Sequence, residues 1–223
     1  MKKFKLIELP VLLIGCIIFI ALPFQSCEPT EEDNNTCDSC AVVYKPNIYI
    51  YPSESMELSL NINFPMGGEI ISSIPDYGTG WDFYVDTSGL INDQYTFLFY
   101  ESSQPDVWQT EKGWIVNKAD LTDFFDKSLA DYGFAGQEIQ DFCDYWIPRL
   151  TKYNLYSIYP QGNADIEKVI ELYFSEKPDE LLRLFFLIEG QNSVPELKPV
   201  EPNVPMNFER KDFFVVEWGV VLK

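Results

Sequence analysis

The sequence predicts an α+β domain in which an antiparallel β-sheet carries two consecutive helices between its N-terminal and C-terminal strands. Three observations lead there. Met56, Leu58, Leu60, Ile62 and Phe64 alternate with polar residues, the period of a half-buried strand. Leu121, Phe124, Phe125 and Leu129 then follow a helical period, as do Ile139, Phe142, Cys143 and Trp146. After residue 154, apolar β-rich runs return.

Taken in order, a short β-rich run at 47–51 ends at Pro52. The alternating strand at 56–64 meets the turn Pro65-Met66-Gly67-Gly68, and 69–74 reads as the returning arm of a hairpin. Segments 81–85 and 95–100 flank a turn at Thr87-Ser88-Gly89 and extend a β-meander. The first helix stops at Gly133 and the second before Pro148. Strands are expected at 154–159, 169–174, 181–188 and 213–222. The segment at 169–174 also fits a helix through Ile166, Val169, Ile170 and Tyr173, and 181–188 is apolar enough for a central strand covered on both faces. Four prolines between residues 194 and 205 read as an extended surface strap.

The N-terminus has the order of an export signal. Lys2, Lys3 and Lys5 precede an apolar run at 11–22 that is shorter than the ~20 residues needed to span a bilayer, and Glu8 and Pro10 bar its extension. Phe24-Gln25-Ser26-Cys27 resembles the lipobox of bacterial lipoproteins, which implies cleavage after residue 26 and acylation of Cys27. Phe24 and Gln25 depart from the Leu and small residue commonest there. The acids that follow, Glu28, Glu31, Glu32 and Asp33, resemble the surface-export signal of lipoproteins in the Bacteroides group. The expected organisation is a leader at 1–26, an acidic tether at 27–40 and one globular domain at 41–223. The resemblance implies an outer-membrane location facing the cell surface, with membrane lipid as a partner through Cys27.

Composition excludes further classes. Loss of residues 1–26 removes three Lys and one Glu and takes the formal charge from -19 to -21, a surface that repels nucleic acid. With His 0, neither a Ser-His-Asp triad nor a His-ligated zinc is available. No cofactor or metal is expected. Cys37 and Cys40 have redox spacing but sit in the tether, where a local disulfide or two idle thiols are the readings. Cys143 falls on a helix's apolar face and reads as a small core residue.

Several segments in order resemble a family of uncharacterised secreted or surface-attached bacterial proteins. They are Lys45-Pro46-Asn47-Ile48-Tyr49-Ile50-Tyr51-Pro52, Pro75-Asp76-Tyr77 with Gly80-Trp81, Leu98-Phe99-Tyr100-Glu101, Tyr145-Trp146-Ile147-Pro148-Arg149-Leu150, and Glu209-Arg210 with the run at 213–219. Asn47 stands where that family carries an aliphatic residue. The resemblance implies no activity.

Candidate site residues come from charges and aromatics out of place. Glu101, Arg149 and Glu217 lie within aromatic or apolar runs, where unpaired charges are rarely buried. One reading makes Glu101 and Glu217 an acid/base pair of the glycosidase type. The other makes Arg149 a structural ion-pair partner of one of them, or points all three to solvent. Trp81, Trp108 and Trp114, lying near turns, and Tyr77 are the candidate glycan platform, while Trp146 and Trp218 read as core. The expected function is a surface module that binds a glycan or an envelope protein. A carboxylate-dependent polysaccharide hydrolase and a structural assembly protein are the alternatives.

Overall fold

The computed structural model describes residues 40–204 and 208–223. The expected leader, Cys27, Cys37 and the tether up to residue 39 lie outside the described residues. Cys40 is disulfide-bonded.

The described chain is mostly antiparallel β structure with few helices, an α+β architecture. The larger sheet contains, in chain order, β1 (Cys40–Tyr51), β3 (Glu69–Ile74), β5 (Leu98–Pro105), β6 (Trp114–Asn117), β7 (Leu155–Gly162), β9 (Glu180–Gln191) and β10 (Phe214–Leu222). Their order across the sheet is β3-β5-β1-β10-β9-β7-β6. A smaller sheet has β2 (Met56–Asn63) between β4 (Trp81–Val85) and β8 (Glu171–Phe174). The β9–β10 ladder is parallel and the others antiparallel.

Two helices, α1 (Leu121–Tyr132) and α2 (Gln137–Trp146), cover one face of the large sheet, and the small sheet covers the other. On the helix side, Phe125 and Phe142 meet Phe186 of β9, and Phe142 meets Trp218 of β10. On the other side, Leu58, Leu60, Trp81 and Phe83 pack with Ile48, Ile50, Phe185 and Val215. Each such buried side chain contributes about 1.5–3 kcal/mol. Gly133 ends α1 at φ 111°, donating its N–H to Leu129 and Ala130. A Cβ there would lie 2.9 Å from the Phe208 ring, so glycine serves both the backbone turn and the close approach of the C-terminal segment.

Two expectations need correction. The arms of the expected hairpin join different sheets, since β2 pairs with β4 and β8 while β3 pairs with β5. Alternation tells a strand which face is buried but not which strand lies beside it. The turn at 65–68 is instead a passage between layers: Gly67 and Gly68 have φ 83° and 148°, and a Cβ on Gly68 would meet the Ser103 carbonyl oxygen at 2.7 Å. The expected meander through 81–85 and 95–100 also divides, β4 entering the small sheet and β5 the large one. Segment 169–174, open between strand and helix, is strand over Glu171–Phe174, after a short helix α3 (Asn163–Ile166).

The proline-rich strap runs beside the β6 end of the sheet. Gly113 donates to the Val200 carbonyl, and Val200 donates to that of Glu111.

Candidate functional site

The site begins with a proline in a strand that has neighbours on both sides. β1 lies between β5 and β10, where Pro46 has no N–H to donate, and both ladders shift register between residues 43 or 44 and Asn47. The bulge places Lys45 at φ 56°, a left-handed conformation that costs a residue with a side chain about 1–2 kcal/mol. Its side chain thereby meets Tyr145 of α2 on the helix side of the sheet.

There the Lys45 ammonium sits 4.6 Å from the Phe97 ring, 4.5 Å from Phe99 and 5.5 Å from Tyr145. It donates to Asn47 Oδ1 at 2.9 Å, and Asn47 Nδ2 donates to the Tyr49 hydroxyl at 3.3 Å. Tyr49 in turn donates to Asp141 Oδ2 at 2.8 Å, and Gln137 Nε2 donates to Asp141 Oδ1 at 2.7 Å. Alternation along β1 puts Asn47, Tyr49 and Tyr51 on one face, and Gln137 and Asp141 are one helical turn apart on α2. A single chain of hydrogen bonds thus joins strand to helix.

Arg149 lies beyond the end of α2 with its guanidinium 3.7 Å from the Tyr145 ring centre, and donates from Nη1 to the Tyr145 carbonyl at 2.6 Å. Lys45, Asn47, Phe97, Asp141, Asp144, Tyr145 and Arg149 line a depression of about 270 Å³. Three other depressions are larger, at about 340, 390 and 460 Å³, but each holds at most one lysine and no arginine.

Burial pulls the Lys45 ammonium down to about 8, against the attraction of Asp141 and Glu101 and with help from Arg149. Burial also drives the Tyr49 hydroxyl far above its usual range, so near neutral pH it is a fixed donor to Asp141. The depression thus combines a partly desolvated amine, a guanidinium and amide and carboxylate oxygens. Such a set suits a polar, charged ligand.

No family model matches this chain, and neither a curated protein nor a solved structure gives a significant match.

Two of the tryptophans expected to be exposed are core residues. Trp81 is 3% exposed, donates its indole N–H to the Pro75 carbonyl and packs edge-on to Tyr77. Trp108 is 7% exposed and lies against Phe185. Both sit near exposed turns, but their indoles point into the core between the sheets. Trp114 is half-buried against Phe124, and Tyr77 is half-buried with its hydroxyl accepting from the Ile62 N–H. These four residues form no open aromatic row.

The glutamate pair is also corrected. Glu217 is fully buried between the two sheets, where the parallel β9–β10 register sets it beside Arg183. Arg183 Nε donates to Glu217 Oε2 at 2.5 Å, its Nη1 to the Ile170 carbonyl at 2.6 Å, and the Tyr100 hydroxyl donates to Glu217 Oε1 at 2.7 Å. Tyr100 and Glu101 are successive strand residues on opposite faces, so Glu101 lies on the helix side while Glu217 faces the small sheet. No shared cleft joins the two carboxylates. Arg149 is exposed and stacked on Tyr145 rather than ion-paired with either of them.

Sequence reasoning missed Lys45 and Arg183. A Lys-Pro step inside a β-rich run signals a bulge that re-aims a side chain, and a lone Arg in the apolar run at 180–188 calls for a buried acid. Cys143 is part-buried on α2, and burial lifts its thiol to about 11, which leaves it a poor nucleophile. Among the described residues, no group of Asp, Glu and Cys could hold a metal ion, and no helix is long and apolar enough to cross a membrane.

Proposed function

We propose that this chain is a surface-displayed lipoprotein module that binds a glycan in the depression between β1 and α2. One observation carries the reading: Lys45 and Arg149 meet in one depression, held by aromatic faces and neutral oxygens. Among the described residues neither cation forms an ion pair. With no carboxylate in contact to neutralise them, both cations keep their charge for a ligand. Asp144, exposed at the rim of the depression, adds a carboxylate that can receive sugar hydroxyls. The hydrolase alternative loses its support, because Glu217 is sealed from solvent and committed to Arg183.

A second reading, contact with an envelope protein, is favoured by edge strand β3. Ile71 and Ile74 there are 50% and 54% exposed, and Met66 in the preceding turn is 52% exposed.

The glycan reading is tested by screening the full chain and its Lys45→Met variant on a glycan array. The wild-type chain should give hits that the variant loses; hits retained by the variant would move the site elsewhere. Display at the membrane has its own test. Replacing Cys27 by Ala should abolish incorporation of labelled fatty acid, and labelling that persisted would show another residue to be the acceptor.

A further inference from the structure

Building on the proposed glycan site, we infer that the ligand bears a single isolated carboxylate, as in a glycan with one uronic acid residue, received by Lys45 and Arg149 together. An ammonium has three N–H groups and Lys45 uses one on Asn47; a guanidinium has five and Arg149 uses its Nη1 on Tyr145. Donors on both cations therefore remain for a ligand, in the arrangement that favours an anion.

The neighbouring carboxylates do not take that place. Both oxygens of Asp141 are engaged, one by Tyr49 and the other by Gln137. Glu101 acts on Lys45 at a distance without forming an ion pair, and Asp144 is exposed at the edge of the depression. The aromatic faces are in use as well. Arg149 covers one ring and Lys45 leans on three, so recognition here runs through charge and hydroxyl contacts rather than through a sugar stacked on an open ring.

Net charge limits the ligand from the other side. A chain at -19 sets these two cations, with Asp141 and Asp144 beside them, in a field repulsive to anions that screening confines to roughly 8–10 Å at physiological salt. One carboxylate held between the two cations is neutralised within that distance. A densely sulfated or polyuronic chain would carry its remaining charges over acidic surface. The volume of about 270 Å³ suits one sugar residue rather than a long stretch of polymer.

Charge recognition also has a proton signature. A carboxylate beside Lys45 raises its pKa from about 8, so at pH 8 binding takes up a fraction of a proton. Asp141, Glu101 and Arg149 already act on Lys45 in the free protein, so the uptake reports the added charge.

The test uses the full chain in calorimetry at pH 8, in two buffers of different ionisation enthalpy. The probes are oligosaccharides bearing one uronate each, the same oligosaccharides after carboxyl reduction, and heparin. The uronate forms should bind with net proton uptake and lose at least tenfold in affinity on reduction. Lys45→Met and Arg149→Met should each show a comparable loss. Arg149 is exposed, so its variant keeps the test sound if the Lys45 variant folds poorly. Equal binding of reduced and unreduced sugars, still dependent on Lys45, would overturn the carboxylate and leave the glycan site standing. Binding of neither would overturn both, and tightest binding to heparin would overturn the isolated charge.

Discussion

Replacing Glu217 by Ala should destabilise the domain by about 3–5 kcal/mol, a large part of the 5–15 kcal/mol that separates folded from unfolded chains. The substitution leaves the Arg183 guanidinium, with 0% of its side chain exposed, without its carboxylate. Arginine does not escape by losing its proton, and attraction to Glu217 holds it charged although burial acts the other way. The Tyr100 hydroxyl loses its acceptor in the same step. One nitrogen, Arg183 Nη2, is already buried with no hydrogen-bond partner, so little slack remains to absorb the change. Urea unfolding of the single variant and of Arg183→Met/Glu217→Leu measures the effect. The double variant should recover much of the loss, because an apolar pair of similar volume removes both charges from the interior. A single variant within 1 kcal/mol of wild type would show that the guanidinium finds another route to neutralisation.

Replacing Trp218 by Ala should cost about 3–5 kcal/mol and weaken ligand binding at Lys45 as well. Trp218 is fully buried, its ring 5.2 Å from Phe142 and 6.4 Å from Tyr49, and its indole N–H donates to the Glu138 carbonyl at 2.9 Å. It therefore fixes α2 on the sheet directly below Asp141 and Tyr145. Removing the ring opens a cavity under the helix and frees the platform on which the hydrogen-bond chain from Lys45 ends. Trp218→Phe keeps most of the volume and loses the hydrogen bond, so it should cost only about 1 kcal/mol from that source. Urea midpoints give the stability change, and calorimetry with a ligand found on the array gives the coupling. Unchanged affinity in a clearly destabilised Trp218→Ala variant would show that α2 keeps its position without the indole.

Both predictions rest on residues whose partners are distant in sequence, and there the sequence reading reached its limit. Glu217 stood out as a charge in an apolar run, but its partner lies in β9 and not at Arg149. Only the parallel register of β9 and β10 sets Arg183 beside it. Trp81 and Trp108 stand near turns that are exposed, but their side chains face inward and join the core between the sheets. Lys45 drew attention only as part of a marked segment. Its importance depends on α2, about a hundred residues later, bringing Tyr145 and Asp141 to the bulge.

Local periodicity by itself pointed to a strand over 56–64 and to two helices carrying Leu121 to Leu129 and Ile139 to Trp146, found at Met56–Asn63, Leu121–Tyr132 and Gln137–Trp146, because which face of an element is apolar depends only on neighbours a few residues away. Composition by itself excluded histidine chemistry, and the first residues by themselves suggested the lipid anchor. Only the tertiary structure decided that β2 and β3 part into different layers, that Glu101 and Glu217 face opposite sides of a sheet, and that Lys45 and Arg149 share a depression. Pairing between strands and contact between layers are chosen by the packing of the whole core, and no short stretch of sequence carries that choice.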